Sequence, residues 1–439
     1  MSATAGHDEP NTFTPDVPAR RSPVVLAIAA VMPAALLGFS ALIDPLANFG
    51  LTRGEHFGGV MLGGEEKTKF AQAVVPFFLL VGLALAAVAP PAVPARLLRV
   101  SAPGIMLLGL AGVSMLWAYD RMQTLQLAAY QTILFASLLL YVAVAREPAQ
   151  VARWVMAMFA LVGLVNLALV VTTPAGPIGH EGIYAHKNTL GAAGGCAFLF
   201  GLFHAIDRHA AWRWTARLSV VVGLVLVAAS DSKTALALMV LAPALAVGIL
   251  LVTRSLRVGP VTGTALMLVG ATFALLIFAA VLGFDTDDVL IATYGDVTFT
   301  GRTQIWGFAL DHAWKEPWFG HGYRGFWQLG AASPKHASEI EFIRTIGSGH
   351  SGYIDMFLDL GWVGVGLLAA FMLAALSAAG RFDLRPVSRS LLYLSIILFV
   401  AGRNAMESVI LWSSFFDNLA FLLVAILACY RETPLRRSA

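Results

Sequence analysis

Gly347-Ser348-Gly349-His350-Ser351-Gly352-Tyr353-Ile354-Asp355-Met356-Phe357-Leu358-Asp359-Leu360-Gly361-Trp362-Val363-Gly364 takes the chain out of a long polar loop and into an apolar run. The pattern predicts a short amphipathic helix over 352–360. Tyr353, Phe357 and Leu360 share one side, and Asp355 and Asp359, four residues apart, are neighbours on the other. Gly361 ends that helix, and Trp362 opens a run long enough to span a bilayer. His350 is thereby placed at the water–membrane boundary, where an imidazole is suited to proton exchange near neutral pH. The plainer reading is a surface histidine beside a helix cap.

The chain around it is that of an all-α polytopic membrane protein. Of its 439 residues, 58% are hydrophobic and 13% charged, with a mean hydropathy of +0.76, more apolar surface than a soluble domain needs. Apolar runs predict about twelve spans of roughly 20 residues. They fall near 24–43, 71–92, 103–118, 123–145, 151–172, 189–206, 216–229, 235–253, 261–283, 362–380, 388–406 and 409–430. The run 23–43 lacks a small-residue cleavage site and reads as a first membrane helix, not a removed signal. Residues 1–22 read as a disordered tail and 431–439 as a second tail, flanking a transmembrane domain over 23–430.

Arginines check the count. Arg96 and Arg99, Arg146 and Arg153, Arg208, Arg213 and Arg217, Arg254 and Arg257, and Arg381, Arg385 and Arg389 fall on alternate connections, with Arg431, Arg436 and Arg437 in the C-terminal tail. The positive-inside rule makes all of these cytoplasmic, and both termini with them. The opposite face receives every lysine, a shorter loop over 44–70 and one long loop over 284–351. Trp306, Trp314, Trp318 and Trp327 give the long loop enough aromatic surface to pack as a small cap or lie on the membrane. Cys196 and Cys429 lie in apolar runs and leave the redox compartment open, and the usual zinc-ligand spacings are absent.

Four clusters on the lysine-bearing face are suited to chemistry. His186-Lys187-Asn188 enters the sixth span, and Ser232-Lys233-Thr234 enters the eighth. Gly301-Arg302 and the turn Gly320-His321-Gly322-Tyr323-Arg324-Gly325-Phe326 lie in the long loop, and the His350 stretch closes it. Cations at helix N-termini make anion sites, so Lys187 and Lys233 are candidate diphosphate ligands; interfacial snorkelling is the alternative. Arg302 offers a planar fork for phosphate oxygens, or else a structural pair with Asp296 or Asp311. Asp285, Asp287 and Asp288 have the spacing of a divalent-metal set but read more simply as a solvated helix end, so no metal site is assigned. Arg403, Asn404, Glu407 and Asp417 lie within or beside apolar runs, where ionisable groups are costly and often functional, although Asp417 also suits an interhelical pair with an arginine.

Taken together, Arg302 with Trp306, the 320–326 turn, and His350-Ser351 followed at fixed spacing by Gly361 and Gly364 resemble the signature of the O-antigen ligase and Wzy-type polysaccharide polymerase superfamily. The resemblance covers about 182–364, and His186-Lys187-Asn188 with Ser232-Lys233-Thr234 is similar to the exopolysaccharide polymerase branch. One departure is that many O-antigen ligases have arginine where Lys233 stands. The resemblance implies a GT-C-like membrane glycosyltransferase in a bacterial inner membrane, inverting and metal-independent, with no cofactor. Its donor would be a polyprenyl-diphosphate-linked glycan and its acceptor a glycan or glycolipid. Membrane lipids and other polysaccharide assembly proteins are the implied partners, and nothing points to nucleic acid. His350 would be the base and Arg302 the stabiliser of the leaving group, with Lys187, Lys233, His186, Arg324, Asp355 and Glu407 binding substrate. A ligase acting on a terminal lipid acceptor stays open beside the polymerase, as does a secondary transporter, for which the span count is also suitable.

Overall fold

A computed structural model describes residues 22–43, 45, 64–176, 179–206, 212–282, 301–327, 329, 333–411 and 416–432. The Asp285, Asp287 and Asp288 cluster, Asp296 and most of both tails lie outside these residues.

Every expected apolar run has its helix: α1 (Pro23–Gly38), α2 (Gly64–Val88), α3 (Ala95–Val113), α4 (Arg121–Ala145), α5 (Pro148–Thr172), α6 (Lys187–Ile206), α7 (Arg213–Ser230), α8 (Lys233–Leu256), α9 (Pro260–Leu282), α11 (Gly352–Ala379), α12 (Val387–Met406) and α13 (Phe416–Leu427). One more helix, α10 (Arg302–Ala313), lies inside the long loop. Among the described residues 8 helices are long and apolar enough to cross a membrane. The bundle's helices leave large apolar side chains uncovered, Phe77, Leu80 and Val171 among them, as a lipid-facing surface requires. The protein is a polytopic membrane bundle.

Lipid tails are as apolar as leucine, so helix association in a bilayer relies on close packing. α6 and α7 show this. A Cβ at Gly194 would lie 2.9 Å from the Gly223 carbonyl, and one at Gly201 would lie 2.8 Å from the Ala216 carbonyl. Gly194 and Gly201 therefore let the two backbones meet, while Gly191 lies against Ser232 and Ala235 at the start of α8.

The bundle has two chemically different ends. Arg96, Arg99, Arg146 and Arg431 gather at one, and Arg254, Arg257 and Arg381 line a neighbouring cleft. Beneath them Arg389 Nη1 lies 2.6 Å from His204 Nε2, and Tyr393 donates to Glu432 Oε1 at 2.7 Å. The starts of α6, α8 and α11 and the end of α12 meet at the other end, with the loop that carries α10.

Two expectations need correction. Of the last span, expected over 409–430, the described helix covers Phe416–Leu427, and the described residues 409–411 and 428–430 are not helical. Asn404 Oδ1 accepts from the N–H groups of Val409 and Ile410, and Asn418 Oδ1 accepts from Leu411, so side-chain amides replace helical bonds there. The acidic side of the 352–360 helix does not face water: Asp355 and Asp359 are both buried. Arg302 pairs with Glu407 at 3.3 Å, and Asp296, one of the partners weighed for it, lies outside the described residues.

Gly361 does interrupt the helix as its position suggested, at φ 62° and ψ −161° inside α11, a conformation open essentially to glycine alone. A break in a helix frees backbone groups that must find partners. Here the loop supplies them. Trp362 and Val363 donate to the carbonyls of Pro317 and Trp318 at 2.8 and 3.3 Å. His321 and Gly322 donate to the carbonyls of Leu358 and Asp359, both at 2.9 Å. The Arg324 N–H donates to Asp359 Oδ2 at 2.8 Å. A Cβ at Gly320 or Gly361 would collide with the facing backbone, which is why glycine stands at both. The Gly-His-Gly turn thus belongs to the helix break.

The loop packs as a cap. Ile305, Ala309, Phe326, Trp327 and Ile343 form an apolar cluster with Phe357 and Leu358 of α11. Trp327 is fully buried, whereas Trp314 and Trp318 stay exposed at the rim.

Candidate active site

The loop cap hands the chain to α11 through Gly349, His350 and Ser351. Gly349 is clamped from both sides. Trp306 Nε1 donates to its carbonyl at 3.0 Å, and its own N–H reaches both Asp355 oxygens at 3.0 Å. Asp355 also accepts from Trp327 Nε1 at 2.8 Å and from the Ser408 hydroxyl. A buried carboxylate is tolerated only with such partners. Asp355 therefore holds the loop, α11 and the segment after α12 in register.

His350 follows with φ +49°, a left-handed conformation unusual for a side chain of this size. The turn aims the ring at the end of α12. Its Nδ1 lies 3.2 Å from Glu407 Oε2, and the side chain keeps 36% exposure. The Gly352 N–H donates to the Glu407 carbonyl at 3.2 Å, tying the two segments by backbone as well.

Glu407 is the hub of the site. Oε1 accepts from Asn188 Nδ2 at 2.8 Å and from Arg302 Nη2 at 3.3 Å, while Oε2 faces His350. Burial opposes the charge on this carboxylate. The hydrogen bond and charge of His350, with Arg302 and Arg403, outweigh burial and hold its pKa at about 2. It is an anion throughout the physiological range.

Asn188 joins the helix starts to this hub. Its Oδ1 accepts from Ser232 Oγ at 3.0 Å, and its carbonyl accepts from Arg403 Nη1 at 3.0 Å. Ser232 also caps α8, accepting from the Ala235 N–H. Arg403 in turn meets Asp417 at 3.3 Å, the interhelical pair the sequence suggested. His186 Nδ1 accepts from the Asn188 N–H at 3.1 Å. Burial lowers the His186 pKa; Glu407 opposes that shift, while His350, Lys187 and Arg302 reinforce it.

Lys187 and Lys233 stand at the first residues of α6 and α8, as expected. Lys187 Nζ donates to the Asp231 carbonyl at 3.1 Å, and Lys233 is exposed. The structure thus joins His350, Arg302, His186, Lys187 and Glu407 in one electrostatic cluster. Arg324 is placed elsewhere, by Asp359 at the helix break, where burial lowers its pKa. Asp355 lies beneath His350. Sequence reasoning passed over Asn188 as a site residue although the His-Lys-Asn triplet contained it, and it gave no sign of Ser408 or of the Asp355 clamp.

With Nδ1–H donating to Glu407, Nε2 of His350 carries the lone pair and is the basic atom. The carboxylate fixes the ring and stabilises the imidazolium that forms when a proton is taken up. Arg302 and the two lysines add positive charge at the same end. The arrangement is that of an oriented imidazole beside a group of cationic side chains.

Residues 218–369 match a family model described as Wzy_C, O-antigen ligase. The chain is also similar to the exopolysaccharide production protein ExoQ of Rhizobium meliloti (strain 1021), with 26% identity over 229 residues. The match covers 50% of this chain and 52% of the relative, so the chain spans about half the length of the curated protein it matches. The resemblance drawn from the loop motifs is thereby supported by independent comparison.

Proposed function

We propose, on the premise that residues 218–369 carry an O-antigen ligase domain, that this protein is a membrane glycosyltransferase acting on polyprenyl-diphosphate-linked glycan. The observation that carries the reading is the His350 ring held by Glu407, with Arg302 on the other carboxylate oxygen. In the proposed reaction Nε2 of His350 takes the proton of an acceptor sugar hydroxyl. That oxygen bonds to the anomeric carbon of the donor as the bond from this carbon to the diphosphate breaks. Both electrons leave with the diphosphate, and Arg302, Lys187 and Lys233 stabilise the growing negative charge. One direct displacement inverts the anomeric centre. The neutralising charge comes from side chains, so transfer needs no divalent ion.

The arginine-bearing end is the cytoplasmic one by the positive-inside rule, which puts the His350 end in the periplasm and both termini inside. The membrane is the bacterial inner membrane, where a polyprenyl carrier's head group can lie under the loop cap.

Between the two acceptor classes we favour the polymerase. The relative's name concerns exopolysaccharide production, and two lipid diphosphates at one site suit a surface with several cations. Purified protein should lengthen a lipid-linked repeat unit, and deletion should leave single lipid-linked units with little long polymer. Long polymer accumulating on its carrier would identify a ligase. Absence of transfer from any lipid-linked donor would return the chain to the secondary-transporter reading.

A further inference from the structure

The start of α8 reaches the His350 site through a chain of side chains. Ser232, the buried N-cap of α8, donates from Oγ to Asn188 Oδ1 at 3.0 Å, and Asn188 Nδ2 donates to Glu407 Oε1 at 2.8 Å. The other oxygen of Glu407 faces His350 Nδ1 at 3.2 Å. Each link has one chemical sense. A carboxylate only accepts, so the amide turns its nitrogen to Glu407 and its oxygen to Ser232. The Ala235 N–H donates to Ser232 Oγ at 3.4 Å, and the single hydroxyl proton goes to Asn188. The amide is thus held at both ends, where its terminal torsion would otherwise be broad.

The backbone around that amide is fixed as well. The Asn188 carbonyl accepts from Arg403 Nη1 at 3.0 Å, and its N–H donates to His186 Nδ1 at 3.1 Å. Gly191, one turn further along α6, lets α8 approach: a Cβ there would lie 2.9 Å from the Ser232 Cβ. Of the two side chains on Glu407 Oε1, Asn188 makes the shorter bond, and Arg302 lies at 3.3 Å. Arg302 is also the group proposed to meet the leaving diphosphate, and a guanidinium that turns to a second anion loosens its hold on the first. An amide anchored on α6 and α8 holds the carboxylate without that conflict.

On the reading of His350 as the base of the transfer, we propose that Asn188 and Ser232 are positioning residues of the reaction. The Ser232 hydroxyl fixes the Asn188 amide, the amide fixes Glu407, and Glu407 fixes the His350 ring.

Steady-state transfer by purified full-length variants tests this, with a polyprenyl-diphosphate-linked repeat unit as donor and melting temperature measured in parallel. Asn188→Ala should lower kcat by about tenfold or more and leave the donor KM within about twofold of wild type. In a Glu407→Gln background the same change should cost less than about twofold, since residues acting in series lose their effects together. Ser232→Asp keeps an acceptor for the α8 N-terminus but has no proton to give Asn188, so kcat should fall there too. Ser232→Thr keeps the hydroxyl and should keep most of the rate. Should Asn188→Ala fail to insert, the two Ser232 variants decide alone. Residues needed only for packing or capping give another pattern: Ser232→Asp turns over like wild type, and the losses of Asn188→Ala and Glu407→Gln multiply. Either of those results, or kcat for Asn188→Ala within about twofold of wild type, would overturn the proposal. His350→Ala separates the two levels. Normal transfer by His350→Ala would remove the base reading and the relay with it, whereas an inactive His350→Ala beside unimpaired Asn188→Ala and Ser232→Asp would remove the relay alone.

Discussion

His350 and Glu407 stand 57 residues apart in the chain, yet Nδ1 of one lies 3.2 Å from Oε2 of the other. The second carboxylate oxygen is held by Asn188 and Arg302, so the histidine is oriented by a group that two other segments fix in place. A base positioned this way needs no reorganisation when it takes a proton.

Glu407→Gln preserves the shape of the hub and removes its charge. Transfer should fall by about tenfold or more, because the imidazolium loses its counter-charge. The same variant has a stability signature. The wild-type carboxyl is held at about 2, below its ordinary 4.5, so its stabilisation is complete above the higher value and is lost as pH falls through the lower one. Between about pH 5 and about pH 3 the melting temperature of wild type should fall more steeply than that of Glu407→Gln. Parallel curves would detach Glu407 from the ionic cluster.

Arg302→Lys tests whether the guanidinium acts through its geometry. Arg302 Nη2 reaches both the Met406 carbonyl and Glu407 at 3.3 Å, and a lysine offers a point charge in place of the planar fork. Transfer should stay impaired by about tenfold. Full activity in the lysine variant would reduce Arg302 to a source of charge.

The helix break has its own test. Gly361→Ala places a Cβ at φ 62° against the backbone of Trp318. The strain should cost about 1–3 kcal/mol or more, read as a lower melting temperature. The loop over 317–326 should also become sensitive to added protease, because its backbone partners on α11 are those at the break. A variant with wild-type melting and an intact loop would show that the loop docks independently of the break.

Asp355→Asn separates two roles for this buried carboxylate. It accepts from Trp327, Gly349 and Ser408, and an amide would turn donors against donors. Stability should fall by about 1–3 kcal/mol, and transfer should fall with it. A raised KM with unchanged melting would instead make Asp355 a substrate ligand.

Much of this was legible in the sequence, and the parts that were not share a cause. The membrane helices are written in apolar runs of the right length, and alternating arginines already sorted the connections into two ends. The break at Gly361 was readable because a glycine stands between a short amphipathic stretch and a spanning run. Lys187 and Lys233 were readable as helix starts. The partnership of His350 with Glu407 was not, because only the packing of α11 on α12 brings them together. The docking of the loop on the break runs through backbone groups, which leave no mark beyond the glycines at 320, 322 and 361. The clamp made by Asp355 was not legible, because helical periodicity tells which residues share a face but not what covers it.

The central claim is that His350 is the proton acceptor of a glycosyl transfer. The most direct measurement is the initial rate of transfer from a saturating polyprenyl-diphosphate-linked repeat unit by purified His350→Ala protein, with donor binding measured in parallel. The account predicts retained donor binding and a rate lower by about a hundredfold or more. Turnover within a few-fold of wild type would contradict it.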